Sequence, residues 1–260
     1  MIKLKSEREL AIMRRAGSIV AEVLGNIGSQ ISPGVETLEL DRYAEALIRR
    51  LGGKPAFKDY KGYPANICTS INETIVHGIP GKAVLRDGDI ISIDVGVELE
   101  GYYADAAFTY PVGNIRRDSQ QLIDVAQKSL EKGIEKAVPG NRISDISGAI
   151  QDFVESKGFN VIRDFIGHGI GSRLHEPPEI PNFVPDHKTA IESASDPRLE
   201  KGMVLAIEPM VAAGKYEARI LRDGWTAVTA DRSRVAHFEH TVEITPKEPE
   251  ILTLWQKKNP

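Results

Sequence analysis

The segment ISIDVGVELEGYYADAAFTYPVG constrains the fold more than any other part of this chain. Ile91, Ile93, Val95 and Val97 alternate with Ser92, Asp94 and Gly96, the period of a strand with one buried face. A second β-branched and aromatic run follows a Gly-containing break, so the segment is predicted to be a β-hairpin. Asp94 then lies mid-strand on the face of small residues. With the turn at Leu99 and Glu100, Asp105 is expected directly opposite Asp94. Two like charges so opposed destabilise a sheet unless they share a proton, enclose an arginine or bind divalent cations. A register slipped by one or two residues, with one Asp solvated near the turn, is the blander alternative.

Three further segments carry polar groups where a core is expected. In FIGHGIG, His168 stands between glycines that permit close approach of backbone or ligand. No Lys follows and the spacing is not a dinucleotide fingerprint, so a phosphate loop is disfavoured and a lone buried histidine stays open. GMVLAIEPM is an apolar strand ending in Glu208, and RVAHFEHTVEI alternates so that His237, Glu239 and Thr241 share one face. Either glutamate alone could sit at a sheet edge. Together, four carboxylates and one imidazole form an oxygen-rich set whose charge two divalent ions would neutralise.

The rest of the chain is legible as helices and strands. Ser6 and Glu9 make a capping box, and Leu10, Met13, Ala16, Val20 and Val23 extend a first helix to about Gly25. A second is expected from a Thr37 cap to Gly52–Gly53, and further helices over Ser119–Ala137 and Ile143–Gly158, with strands between and after. The order of helix, helix, strands thus occurs twice, a weak hint of two similar halves. Pro181–Pro197 is expected to be an exposed loop, and the 260 residues a single domain.

A net charge of −4 from 33 basic and 37 acidic residues gives no reason to expect nucleic acid or an anionic membrane as partner. One cysteine, Cys68, excludes an internal disulfide and fits a reducing compartment, so a cytoplasmic protein is expected. Neither a secretory signal nor a membrane span is visible.

The segments GYPANICTSINETIVHGIP, GHGIGSRLHEPPEIPNF and DGWTAVTADRSRVAHFEHTVEIT, with those above, resemble the methionine aminopeptidases over nearly the whole chain. The ordered increments of 11, 63, 40 and 31 residues between Asp94, Asp105, His168, Glu208 and Glu239 carry much of the resemblance. It implies an α/β (α+β) pita-bread fold: a curved antiparallel sheet, outer helices and two pseudo-symmetric halves in one catalytic metallopeptidase domain, residues 1–260. It implies two divalent ions (Co, Mn, Fe(II) or Zn), with Asp94 on one, His168 and Glu208 on the other, and Asp105 and Glu239 bridging. Glu208 becomes the proton acceptor, His77 and His175 substrate-contacting catalytic groups, and Tyr60, Tyr63, Cys68 and Trp225 a pocket for methionine. Leu174 departs from the bulky aromatic common in the family, which puts strict selectivity in question. The remaining histidines, His187, His237 and His240, are expected to be structural. The implied substrate is the N-terminal methionine of nascent polypeptides, preferentially before a small second residue. The ribosome is a conceivable docking partner, and the expected state is a monomer. A proline-directed exopeptidase of the same fold and a non-catalytic binding protein are the competing readings. The first usually has a large extra N-terminal domain, for which the early helix leaves no room; the second typically lacks several metal ligands.

Overall fold

A computed structural model describes residues 2–185 and 196–255. The long hairpin forms as Ile90–Leu99 and Tyr102–Pro111, and Cys68–Ile71 and Lys54–Pro55 pair along the outer edge of its first strand. Its apolar face, Ile91, Ile93, Val95 and Val97, is fully buried against helices α1 (Glu7–Ile27) and α2 (Thr37–Arg50). Burying each such side chain is worth roughly 1.5–3 kcal/mol, so a slip by one residue, which would turn all four outward, is strongly resisted.

The turn differs from expectation. Glu100 and Gly101 form its centre, both at positive φ (51° and 83°), the backbone that a two-residue hairpin of right-handed twist requires. Gly101 adopts it without strain, and its N–H donates to the Glu98 carboxylate at 2.8 Å. The pairing therefore sets Asp105 opposite Gly96 and Asp94 opposite Ala107, a displacement of two residues from the expected register. Because two is the period of a strand, both aspartates keep their common face.

Helix α1 starts at the Ser6–Glu9 capping box and runs two residues past Gly25. In α2, Thr37 is the first helical residue and not the cap: its hydroxyl exchanges hydrogen bonds with Gly81, while the Glu36 N–H donates to the Glu39 carboxylate. Helices α3 (Arg117–Ile134) and α4 (Ile143–Ser156) end somewhat earlier than periodicity suggests. They cover a second core built with Leu205, Ile207, Phe238 and Val242. That core belongs to a five-stranded antiparallel sheet in the order Glu250–Ile251, His240–Glu243, Val204–Ile207, Gly167–Gly169, Glu176–Ile180. Two three-stranded sheets complete the architecture, one of them placing Met210–Ala212 between Val235–His237 and Asn160–Val161. Helix pair followed by antiparallel strands does occur twice. Residues 186–195 of the expected Pro181–Pro197 loop, with His187, lie outside the described residues.

Candidate metal and active site

All five suspected ligands project from strands or strand ends on the side of the hairpin away from α1 and α2. Asp94 and Asp105 come from the hairpin, His168 from the centre of Gly167–Gly169, Glu208 from the residue after Val204–Ile207, and Glu239 from the step between Val235–His237 and His240–Glu243. Ligand atoms of Asp105, His168 and Glu239 all lie within 4.8 Å of one another. Glu208 joins them through His168, whose Nε2 is 3.6 Å both from Glu208 Oε1 and from Asp105 Oδ2. Asp94 is two residues along from the expected juxtaposition, yet still in electrostatic contact with Asp105.

The electrostatics of this cluster are unresolved without a cation. Burial, reinforced by the neighbouring charges, pushes the carboxyls of Asp94, Glu208 and Glu239 well above the usual range. Asp105 is raised by burial to about 6, moderated by His175 and the Thr241 hydroxyl. Burial depresses His168 to about 4, so the imidazole is neutral at physiological pH. Its Nδ1 lies 3.0 Å from the Gly169 carbonyl, which can only accept, so the proton sits on Nδ1 and the Nε2 lone pair faces two carboxylate oxygens. The Nε2 lone pair thus lies 3.6 Å from one oxygen of each carboxyl, and without a cation the group is neutralised only by protons that burial retains on the carboxyls. Asp94 Oδ1 is likewise buried without a hydrogen-bond partner among the described residues. A divalent cation resolves both defects. A neutral imidazole held by a backbone carbonyl and carboxylates converging on it are the donors such an ion takes, and four negative charges match two ions.

The remaining expected residues gather beside this cluster. His175 is exposed at its edge, with its ring 4.2 Å from that of His168, its Nδ1 2.9 Å from the Tyr60 hydroxyl, and the Tyr60 ring stacked on it at 5.2 Å. Tyr63, Cys68 and Leu174 are buried in one apolar group with Tyr60, Ile79 and Trp225 against it. Tyr63 and Trp225 meet edge to face at 5.2 Å, and the ring of His77 stands edge-on to Trp225 and Phe165. Cys68 is opposite Asp94 in the sheet, and burial pushes its thiol up, keeping it protonated. His77 sits at positive φ (58°) and is neutral, its pKa lowered by burial. A groove of about 1000 Å³ between α1 and the C-terminal segment shares none of these residues.

One residue expected to be structural is not peripheral. His237 is buried, and its Nε2, without a hydrogen-bond partner among the described residues, lies 3.7 Å from Glu208 Oε2. The alternation that singled out Glu239 places His237 on the same face, so the signal was present. His240 does face the other way, bonding Thr253 through Nδ1 at 2.9 Å. Two supporting contacts had no sequence signal: the Thr241 hydroxyl on Asp105, and the Asn182 amide donating to the Glu208 carbonyl at 3.1 Å.

A family model described as Metallopeptidase family M24 matches residues 11–246. The chain belongs to this family of metal-dependent peptidases, in keeping with the cation-seeking cluster. It is 52% identical to methionine aminopeptidase 1 of Bacillus subtilis, covering 97% of this chain and 99% of the relative, and 51% identical to the methionine aminopeptidase of Clostridium perfringens, covering 98% and 99%. The methionine aminopeptidase of Thermotoga maritima superposes with a TM-score of 0.93 at 46% identity, covering 97% of this chain and 99% of that one. Within the metallopeptidases, then, the chain is a member of the methionine aminopeptidase group, with its pita-bread fold. A prolidase from Pyrococcus horikoshii shares the fold at a TM-score of 0.78 and 21% identity, this chain spanning 64% of its length. Among the described residues no helix is long and apolar enough to cross a membrane.

Proposed function

We propose that this chain removes the N-terminal methionine from polypeptides, preferentially before a small second residue. In this reading Asp94, Asp105, His168, Glu208 and Glu239 would together hold two divalent ions. The observation that carries it is the His168 Nε2 lone pair facing the oxygens of Asp105 and Glu208 at 3.6 Å, the donor arrangement a divalent cation takes. Such ions acidify a water and polarise the scissile carbonyl, and this donor set accepts Mn, Fe(II), Co or Zn.

The protein's own groups complete the chemistry. Glu208 has Oε1 3.6 Å from His168 Nε2 and Oε2 3.7 Å from His237 Nε2, so it could hold an ion through one oxygen and would accept a proton from the attacking water through the other. His175 is neutral, its pKa lowered to about 4 chiefly by burial. With the Tyr60 hydroxyl, 2.9 Å from Nδ1, acting as donor to it, Nε2–H would be left as the donor for the negative charge growing on the carbonyl oxygen. Neutral His77 orients the peptide nitrogen, and Tyr60, Tyr63, Cys68, Leu174 and Trp225 enclose the methionine side chain. The chain would work as one catalytic domain, a cytoplasmic monomer meeting nascent chains at the ribosome.

Release of methionine from Met-Ala-Ser, compared with release from proline-containing peptides, tests this after chelation and return of Mn. Methionine release that depends on returned metal is expected. Cleavage confined to X-Pro peptides, or none from any peptide, would overturn the assignment.

A further inference from the structure

His175 is carried by a turn that leaves the sheet after Gly169 and rejoins it at Glu176, and much of that turn, including His175 itself, is exposed. A catalytic donor on such a segment needs something to hold it. The Tyr60 hydroxyl meets the imidazole, but the backbone beneath is fixed from elsewhere. Glu176, next to His175, points inward: its Oε1 accepts from the Arg173 N–H at 3.1 Å and the Ser172 hydroxyl at 3.2 Å, closing the turn on itself. Its Oε2 accepts from Lys5 Nζ at 2.9 Å, and the two side chains are only 4% and 2% exposed.

Lys5 lies outside the five-stranded sheet, just before α1. Its ammonium also donates to the Lys3 carbonyl, and its backbone N–H donates to the Gly202 carbonyl at 2.7 Å, immediately ahead of the strand that ends at Glu208. The Tyr103 N–H, from the hairpin that bears Asp105, donates to the Gly171 carbonyl at the start of the same turn. The ion pair therefore ties the turn of His175 to the approach of the Glu208 strand. A buried ion pair contributes little net stability over a well-packed apolar pair, so its worth lies in the geometry it enforces.

We propose that the buried Lys5–Glu176 ion pair is a positioning element for catalysis, holding the Gly171–Glu176 turn so that His175 presents Nε2 to the substrate carbonyl. This rests on the reading of His175 as the carbonyl's donor. Neither Lys5 nor Glu176 touches substrate or metal; both act through His175.

The test compares Lys5→Met and Glu176→Gln with the unmodified enzyme, saturated with Mn, on Met-Ala-Ser, each alone and combined with His175→Ala. Each single variant is expected to lower kcat roughly 10- to 100-fold, the scale of an ångström-level misplacement, with KM changed by no more than about twofold. In the His175→Ala background the same changes should have almost no further effect on kcat, and Lys5→Arg should recover most of the activity. An unchanged kcat in Lys5→Met overturns the proposal, and so does an equal fall with and without His175, which marks a general structural role. Should Lys5→Met fail to fold, the apolar pair Lys5→Met with Glu176→Met replaces it, with the same expected loss of kcat and dependence on His175. If His175→Ala alone leaves kcat intact, the underlying role of His175 fails; if it lowers kcat and the Lys5 variants do not, only the positioning role fails.

Discussion

Removing the metals should destabilise the protein, and by more at higher pH. Chelation leaves the buried carboxyls of Asp105 and Glu239 and the part-buried ones of Asp94 and Glu208 close to one another and to the Nε2 lone pair of His168. Burial raises Asp105 to about 6 and drives Asp94, Glu208 and Glu239 further above their usual range. The folded, metal-free state thus holds protons that the unfolded chain releases at about pH 4–4.5, so its stability falls as pH rises through 6 and beyond. The metal-loaded state needs the carboxylates ionised, so its stabilisation grows over the same range. Depressed His168 does not alter the comparison, because it is neutral in both folded states. One ion present at 100 times its Kd adds about 2.7 kcal/mol. At about 2–4 °C per kcal/mol for a chain near this size, that raises Tm by roughly 5–11 °C per ion. Scanning calorimetry with EDTA or with Mn, at pH 5.5, 6.5 and 7.5, measures the gap. A gap that widens with pH is expected. Coincident melting curves, or a gap that closes as pH rises, would refute the packed cation site.

Three substitutions probe the surroundings of the ligands. Tyr60→Phe removes the donor that sets the His175 tautomer; a neutral hydrogen bond of about 0.5–1.5 kcal/mol corresponds to a roughly two- to tenfold lower kcat, and steady-state kinetics with unaltered activity would dismiss that role. Gly169→Ala would place Cβ 2.2 Å from the Pro177 carbonyl oxygen, backbone that no rotamer change relieves. Overpacking of about 1–3 kcal/mol predicts a Tm about 2–12 °C lower by differential scanning fluorimetry. His237→Leu deprives Glu208 Oε2 of its neighbouring polar ring at 3.7 Å and should weaken Mn binding in calorimetry, or lower kcat, roughly 10- to 100-fold, whereas His237→Gln keeps a polar side chain there and most of the function. Equal behaviour of the Leu and Gln variants would show His237 to be packing alone.

Much of the scaffold could be read from alternation, and its one error is instructive. The hairpin's buried and polar faces follow directly from the Ile/Val period, so Asp94 and Asp105 were assigned to a common face correctly. A turn at Leu99–Glu100 is one residue early, because backbone twist demands positive φ at both central positions and favours a glycine at the second, as at Glu100–Gly101. Parity survived the displacement, direct opposition did not. His168, Glu208 and Glu239 each allowed a solvated or buried alternative, since strand patterning places a side chain on a face but says nothing of which faces converge. The pocket was less legible still: Tyr60, Cys68, His77, His175 and Trp225 come from separate turns and strand ends, and only the family resemblance grouped them. His237 is the converse case: expected to be structural, it shares the face of Glu239 in the alternation and lies 3.7 Å from Glu208 Oε2.

The convergence has a physical basis in how the two helix-covered cores meet. The hairpin's second strand exchanges backbone hydrogen bonds with the final strands at Ala107 and Glu239, the Thr109 hydroxyl bridges the N–H and carbonyl of His237, and the Thr241 hydroxyl bonds both the carbonyl and the carboxylate of Asp105. These bonds involve Asp105 and Glu239 themselves or residues close to them in sequence, so the seam is held together beside those two carboxylates. Across it the first core contributes Asp94 and Asp105, the second Glu208 and Glu239 with neutral His168. Each side therefore brings two carboxyls to the junction, which repel one another once ionised. Hydrogen bonds hold the seam in register, protons relieve the repulsion at low pH, and cations held there as proposed would turn it into attraction, so catalysis and the cohesion of the two halves would depend on the same ions.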